Sequence, residues 1–398
     1  MNVSRIEGVI VVGAGPVGFL IALGLARNGI PVTLLEAGEA IAESPRAAVY
    51  FPTTVKVLDE LGVLEDALAV GLKNLFFCFR VLETGEVVMV DTTASMPADE
   101  PYPYNLHFGQ HILARIVMDH LARIPHARVR FRHTVVGLEQ DGSGVTLSAD
   151  TPEGRKQVRS EWLVGADGAG SSVRRLLGLP FEGHTWPDRF VATNVRYPFD
   201  KFGFAPANMV ADPVNWAVVA RLGRENLWRV TYGEDATLPE GEALRRIPAH
   251  YRAIMPSRDE AYEVVAASPY RVHERCAPSF RVGRVLLAGD AAHVCNPCGG
   301  MGLTSGVIDA KALAQVLSAV IAGKAGEQVL DFYSVERRRV YHEVTSPIAT
   351  EFKRRLSERD PDKRHADLRI FREIAENPKA APQSASLSAQ IEGRPMPV

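Results

Sequence analysis

The apolar positions of this chain change period several times, and each change marks an element. Gly8-Val-Ile-Val-Val12 is a continuous apolar run of the kind a buried strand shows. A helical pattern covers 19–26, Asn28-Gly29 stops it, and Val32-Thr-Leu-Leu-Glu36 is a second strand ending in an acid. Further on, the pattern predicts a helix over 53–61 and a hairpin whose arms, 75–82 and 87–90, flank Glu83-Thr-Gly-Glu86. Residues 97–103, rich in Pro and Tyr, read as a loop, and a helix runs from Gln110 to about Ala122. Strands broken at Asp141-Gly142 lie within 129–148. Another strand is 161–165, and Ala166-Asp167-Gly168 opens a helix.

Between 190 and 272 the period shortens to two. Segments 190–197, 216–222, 227–232 and 261–272 predict a mostly antiparallel sheet, with one helix at 242–251. The strand Val285-Leu-Leu287 then returns to the earlier pattern. A Pro- and Gly-rich loop follows, then long helical stretches over 303–321 and 328–339 and a charged segment to Glu376, divided by Pro361. Residues 377–398, rich in Ala, Ser, Pro and Gln, predict a poorly ordered tail. The fold class is therefore mixed α/β and α+β: a Rossmann-like nucleotide domain, an inserted antiparallel sheet and C-terminal helices.

Composition narrows the function. With 398 residues, 46% of them hydrophobic, the chain can bury a large core in two connected domains. A net charge of −2 offers no basic excess for nucleic acid. Four cysteines make no disulfide framework and suit a reducing, cytoplasmic setting. The apolar stretch 9–26 resembles a signal peptide, but four glycines and Pro16 interrupt it. No segment is expected to insert stably in a membrane.

Three motifs carry chemistry. The first is Gly13-x-Gly15-x-x-Gly18 between strand and helix, with Glu36 at the end of the next strand. Gly13 serves the tight turn, Gly15 admits a pyrophosphate, Gly18 allows helix–strand packing, and Glu36 accepts from a ribose. The second is Asp167-Gly168. The third is Gly289-Asp290 with the loop Pro297-Cys-Gly-Gly-Met-Gly302. Bare backbone N–H groups there, with a helix start behind them, suit a ligand that becomes anionic on reduction. Arg46 in its polar loop can reach the pyrophosphate or be solvated.

In this order and context, the three motifs closely resemble the single-component FAD-dependent aromatic hydroxylases, over roughly residues 8–345. The resemblance implies FAD in the first nucleotide site. It implies that Gly289 and Asp290 meet the ribityl chain, and that Arg46 and Gln110 touch the cofactor. It links Asp167 to FAD and the nicotinamide donor, and places Pro297, Gly300, Met301, Gly302, Leu303 and Thr304 beside the isoalloxazine ring. Where the family often has Asn, this chain has Thr304. The implied reaction uses NADH or NADPH and O2 to hydroxylate an electron-rich aromatic or heteroaromatic small molecule through a flavin hydroperoxide. The implied division is a discontinuous FAD domain (1–74, 101–180, 273–345), a substrate domain (75–100, 181–272) and a helical segment (346–376), in a monomer or homodimer. A base that ionises a phenol would help, and His107, Tyr197 and Tyr232 are the candidates.

Other readings compete. Cys295-x-x-Cys298 beside a flavin has the spacing of a redox dithiol, but the second nucleotide fingerprint of such enzymes is missing. His293-x-Cys295-x-x-Cys298 has metal-like spacing without a fourth ligand. A non-enzymatic adaptor on the same fold would not need intact cofactor motifs, and the Trp-x-Trp-x-Ile-Pro signature of flavin halogenases is absent.

Overall fold

The structure, a computed structural model, describes residues 3–94, 96–378 and 384–398. A six-stranded sheet forms its centre, in the order Arg281–Val282, Val285–Leu287, Trp162–Gly165, Val9–Val12, Val32–Leu35, Ala127–Arg130. All pairings are parallel except the one between the first two strands. Parallel strands are covered on both faces, which is why Val9–Val12 and Val32–Leu35 are buried at every position. The helices Pro16–Arg27, Gln110–Ala122 and Met301–Ile321 cover one face, and a four-stranded sheet around the 134–151 hairpin adds Val135, Val145 and Leu147 to the same core.

Among the described residues, Met301–Ile321 is the one helix long and apolar enough to cross a bilayer by length and composition alone. Two thirds of its apolar window (67%) is buried inside the protein, so its all-round hydrophobicity is that of a core helix.

The second large sheet has eight strands and is antiparallel apart from one pairing, Ala207–Ala211 with Phe76–Val81. Its long strands, Glu182–Arg196 and Glu263–Cys276, outrun the segments expected from alternation, because polar residues continue the ladder beyond the apolar pattern. The predicted hairpin is the pair Phe76–Val81 and Val87–Asp91 at its edge. Side chains alternate across this sheet. One face packs Trp228, Val230 and Tyr232 under the helix Ala243–Ile254. The other carries Phe190, Trp216 and Tyr270, with Phe190 and Trp216 edge to face at 4.9 Å.

The charged C-terminal stretch forms the helices Ser346–Ser357 and Pro361–Glu376, the second capped by Asp360 ahead of Pro361. The tail departs from expectation. Ser384–Glu392 is a helix, Ile391 is 3% exposed, and the carbonyls of Ile391 and Glu392 accept from Arg337. A long-range anchor, invisible in the composition of 377–398, orders its described part; residues 379–383 lie outside the described residues.

Candidate active site

The nucleotide fingerprint is built by exclusion of side chains. Gly13 has φ +109°, and a Cβ there would lie 2.4 Å from the Ala166 carbonyl oxygen. A Cβ on Gly18 would lie 1.9 Å from the Gly13 carbonyl oxygen. These two glycines let the first loop touch the Ala166–Asp167 loop and the helix start sit on its own turn. Gly15 differs: nothing lies within 4 Å of its would-be Cβ. It faces open space at the start of the helix Pro16–Arg27, whose N-terminus has no side-chain cap. The Glu36 carboxylate accepts from the backbone N–H groups of Ala14 at 2.8 Å and Gly38 at 2.7 Å. Glu36, Gln110 and His111 line a small cleft that opens beside Gly15. A larger groove, about 530 Å³, lies between the helices Pro16–Arg27, Pro52–Glu60 and Met301–Ile321, and none of the predicted site residues lines it.

Asp167 is an organiser of its loop. Its carboxylate accepts from the N–H groups of Ser172 and Val173 and from the Ser171 hydroxyl, capping the short helix Ser172–Leu176. Arg174, buried behind it, donates to the carbonyls of Ala169 and Ala291, each at 2.8 Å, and so ties this loop to the Gly289–Ala291 turn.

Gly289 has φ +57°, and a Cβ on it would crowd Val17 at 2.9 Å. Asp290 beside it is exposed. The loss of water pushes its carboxyl above the usual range, against the pull of His293 and Arg46. Arg46 is exposed, its Nε donates to the Ser44 hydroxyl, and its guanidinium stands 5.6 Å from the Tyr270 ring centre. It therefore bridges from the Asp290 turn to the eight-stranded sheet.

Under the turn lies a group that sequence reasoning missed. Asp309, fully buried, accepts from Gly289 N–H at 3.0 Å, His293 Nε2 at 2.7 Å and Arg337 Nε at 2.6 Å. The available signal was an acid inside the otherwise apolar helix Met301–Ile321.

The loop before that helix is a tight turn, Pro297–Gly299, with Pro297 exposed and Gly300 at φ +68° against Phe51. Asn296 pins it to the sheet through Glu274, to which its N–H and Nδ2 both donate at 2.8 Å. Gly302 and Leu303 are partly accessible, whereas Met301 is buried. Thr304 is a correction: it is fully buried and its hydroxyl donates to the Gly300 carbonyl at 2.9 Å, so its side chain faces its own helix turn. Cys295 and Cys298 are free thiols, and burial pushes both well above the ordinary range, which disfavours the thiolate a dithiol relay needs.

The three proposed bases are not brought to this cleft. Tyr197 and Tyr232 are 1% and 0% exposed in the cluster beneath the helix Ala243–Ile254, on the opposite face of the sheet. A one-residue shift in alternation separates that face from the ligand side. His107 is fully buried and held between the Arg221 carbonyl and the Asn74 amide. Burial pushes its ring down to about 4.

The cleft beside Gly15 is lined by Glu36, Gln110 and His111, while Asp290 and Pro297 are exposed and Gly302 and Leu303 partly accessible. A long ligand with an anionic middle and a flat ring at one end fits these groups: an uncapped helix start, an accessible carboxylate and a glycine-rich wall.

Known proteins agree with that geometry. A family model described as FAD binding domain matches residues 7–347. Para-nitrophenol 4-monooxygenase of Pseudomonas sp. (strain WBC-3) is 44% identical over 372 residues, 93% of this chain and 92% of that protein. The 6-hydroxy-3-succinoylpyridine 3-monooxygenase HspB of Pseudomonas putida (strain DSM 28022 / S16) is 44% identical over 359 residues, 90% of this chain and 91% of that one. The crystal structure of p-nitrophenol 4-monooxygenase PnpA from Pseudomonas putida DLL-E4 matches with a TM-score of 0.95 at 42% identity, covering 98% of this chain and all (100%) of that one. The chain belongs to the single-component FAD-dependent aromatic hydroxylases.

Proposed function

We propose that this monooxygenase hydroxylates a small ring that already carries a hydroxyl group, a phenol or hydroxypyridine with a polar substituent. Two relatives of nearly equal length act, by their names, on a nitrophenol and on a hydroxypyridine. The observation that carries the reading is the kinship to these two relatives over almost the whole chain, supported by the exposed Asp290 and Pro297 and the partly accessible Gly302 and Leu303 in one turn-and-loop region.

Bound FAD, reduced by NADH or NADPH, supplies the activation of O2. The chain's own residues do the rest. Gly15 and the helix start behind it take the pyrophosphate, Glu36 accepts from the adenosine ribose, and Asp290 accepts from a ribityl hydroxyl. Main-chain N–H groups at the start of the helix Met301–Ile321 would favour negative charge on a ring system held beside them. Tyr270, half-buried on the eight-stranded sheet beside Arg46, would face the substrate ring, with Phe190 and Trp216 packed behind it. In this proposal 1–74, 101–180 and 273–345 carry the cofactor, and 75–100 and 181–272 cover the substrate. The protein works as a monomer or homodimer in the cytoplasm, where its four free thiols suit a reducing setting. The test is donor oxidation and product mass across a panel of substituted phenols and hydroxypyridines. Donor oxidation without an added oxygen atom in any of them would overturn the reading.

Two variants probe the roles. Asp290→Ala removes a charged acceptor worth about 1.5–3 kcal/mol, so FAD affinity should fall by roughly tenfold or more. Equilibrium dialysis of flavin reads this directly, and an unchanged affinity would remove Asp290 from the site. The Cys295→Ser, Cys298→Ser double variant should keep substrate-stimulated donor oxidation, since neither raised thiol supplies a ready thiolate. Loss of flavin reduction with FAD still bound would instead make the pair a redox dithiol.

A further inference from the structure

The end of the chain docks on the groups that anchor the Gly289–Ala291 turn. Glu392 closes the helix Ser384–Glu392, and Gly393 follows it at φ +74°, the left-handed residue that ends many helices. A helix end leaves carbonyls without intrahelical partners and carries partial negative charge. Here the Ile391 carbonyl at 2.8 Å and the Glu392 carbonyl at 3.1 Å accept from Nη1 of Arg337, which is fully buried. Gly393 lies so close to the helix Gln328–Val340 that a Cβ on it would stand 2.8 Å from Glu336 Oε1 and 2.9 Å from Val340 Cγ2. Past it, Arg394 donates its N–H to Glu336 Oε1 at 2.8 Å and its Nε to Glu336 Oε2 at 2.7 Å.

Arg337 is shared between the tail and the cofactor side. Its Nε donates to Asp309 Oδ1 at 2.6 Å, while Asp309 Oδ2 accepts from the Gly289 N–H and His293 Nε2. One carboxylate thus holds the tail's receptor with one oxygen and the turn with the other. If the tail leaves, Nη1 loses both of its carbonyls inside the protein, and Nη2 keeps Ser305, whose hydroxyl and carbonyl accept at 3.2 and 3.5 Å. A buried donor stripped of its acceptors is costly, so the placement of Arg337, and through Asp309 that of the turn, depends on the docked tail.

A second arm runs to the other cofactor loop. The Thr53 hydroxyl donates to Glu392 Oε1 at 2.9 Å. Thr53 lies in the first turn of the helix Pro52–Glu60, and Phe51, the residue before that helix, packs against Gly300, where a Cβ would meet its ring at 2.9 Å. Four consecutive residues, 391–394, are therefore tied both to the support of the Asp290 turn and to the helix that backs the 297–303 loop.

We infer that 391–394 form a latch coupled to the cofactor: bound FAD favours the docked tail, and the docked tail raises the affinity for FAD by the same factor. That reciprocity holds for any two linked binding equilibria. The inference rests on the proposed contact between the Asp290 turn and FAD, and adds to it a regulatory consequence. A chain that has lost its flavin presents a loosened C-terminus, so cofactor occupancy is readable at the protein surface and the empty protein is the one open to proteolysis.

The test uses the full chain and two readouts, amide hydrogen exchange at 391–394 and flavin affinity by equilibrium dialysis. In the unaltered protein the Gly393 N–H bonds to the Ala389 carbonyl and the Arg394 N–H to Glu336, and exchange at both should slow roughly tenfold on loading with FAD, within the usual range for coupled sites. Gly393→Ala must put a methyl group against Glu336 and Val340 from a left-handed backbone, so it should release the tail. Exchange at 391–394 should then quicken, and the dissociation constant of FAD should rise by a similar, roughly tenfold, factor. Equal exchange with and without FAD would overturn the latch, and that arm needs no variant. So would a Gly393→Ala chain whose tail is loosened but whose flavin affinity is unchanged while Asp290→Ala loses flavin. If Asp290→Ala keeps full affinity as well, the placement of the turn at the cofactor falls, and the latch with it.

Discussion

Replacing Asp309 with alanine is expected to remove about 3–5 kcal/mol of stability, the cost of stranding one member of a buried ion pair. The variant leaves Arg337 fully buried without its carboxylate, and leaves the Gly289 N–H and His293 Nε2 without an acceptor. The damage should spread in two directions. The Gly289–Ala291 turn loses its anchor, so FAD retention falls with stability. Arg337 also donates to the Ile391 and Glu392 carbonyls, so the C-terminal helix Ser384–Glu392 should loosen and become open to proteolysis. Denaturant unfolding of the FAD-loaded form, with and without the substitution, measures the first effect. A loss below about 1 kcal/mol would show the pair to be dispensable. The acid limb carries the same information. His293 and Arg337 overcome burial and hold the Asp309 carboxyl down at about 2 in the folded protein. Its contribution is present above the unfolded value near 4 and is lost as pH falls through about 2.

Stability should also fall as pH drops from 6.5 toward 4, by about 3 kcal/mol in full and about 2 kcal/mol between pH 7.5 and 5, through His107 alone. Burial lowers the folded ring to about 4 from an ordinary 6.5. Between those values the unfolded chain binds a proton that the folded chain refuses, so stability rises with pH across that window. The geometry supports a neutral ring. The Arg221 carbonyl can only accept, so Nδ1 carries the hydrogen, and Nε2 is left to accept from the Asn74 amide. Protonation at Nε2 would set one donor against another. A His107→Gln variant keeps a donor for the carbonyl and cannot titrate, so urea melts at pH 7.5 and 5 should differ less for it than for the unaltered chain. Equal pH dependence in the two proteins would refute the assignment.

The two kinds of result divide along physical lines. Glycine positions, acid spacing and the strand–turn–helix order were legible because a nucleotide loop is local: Gly13, Gly15 and Gly18 act within one turn, and Glu36 reaches Ala14 from the adjacent strand. The helices at Gln110–Ala122 and Pro361–Glu376 and the hairpin around Glu83-Thr-Gly-Glu86 were legible for the same reason, since their periods and caps are short-range. Alternation also announced the second sheet. It did not say which face would meet the cofactor, and Tyr197 and Tyr232 were assigned to the wrong one.

By itself, then, the sequence determined a nucleotide-binding α/β core with an inserted sheet and the loops that meet the cofactor. Tertiary structure alone decided that Asp309 joins Gly289 to Arg337 and that the tail docks as a helix. Each of these joins residues far apart in the chain or depends on which side of a sheet is covered. A pattern of period two or 3.6 states that a face exists, but only packing against the rest of the molecule states what lies opposite it.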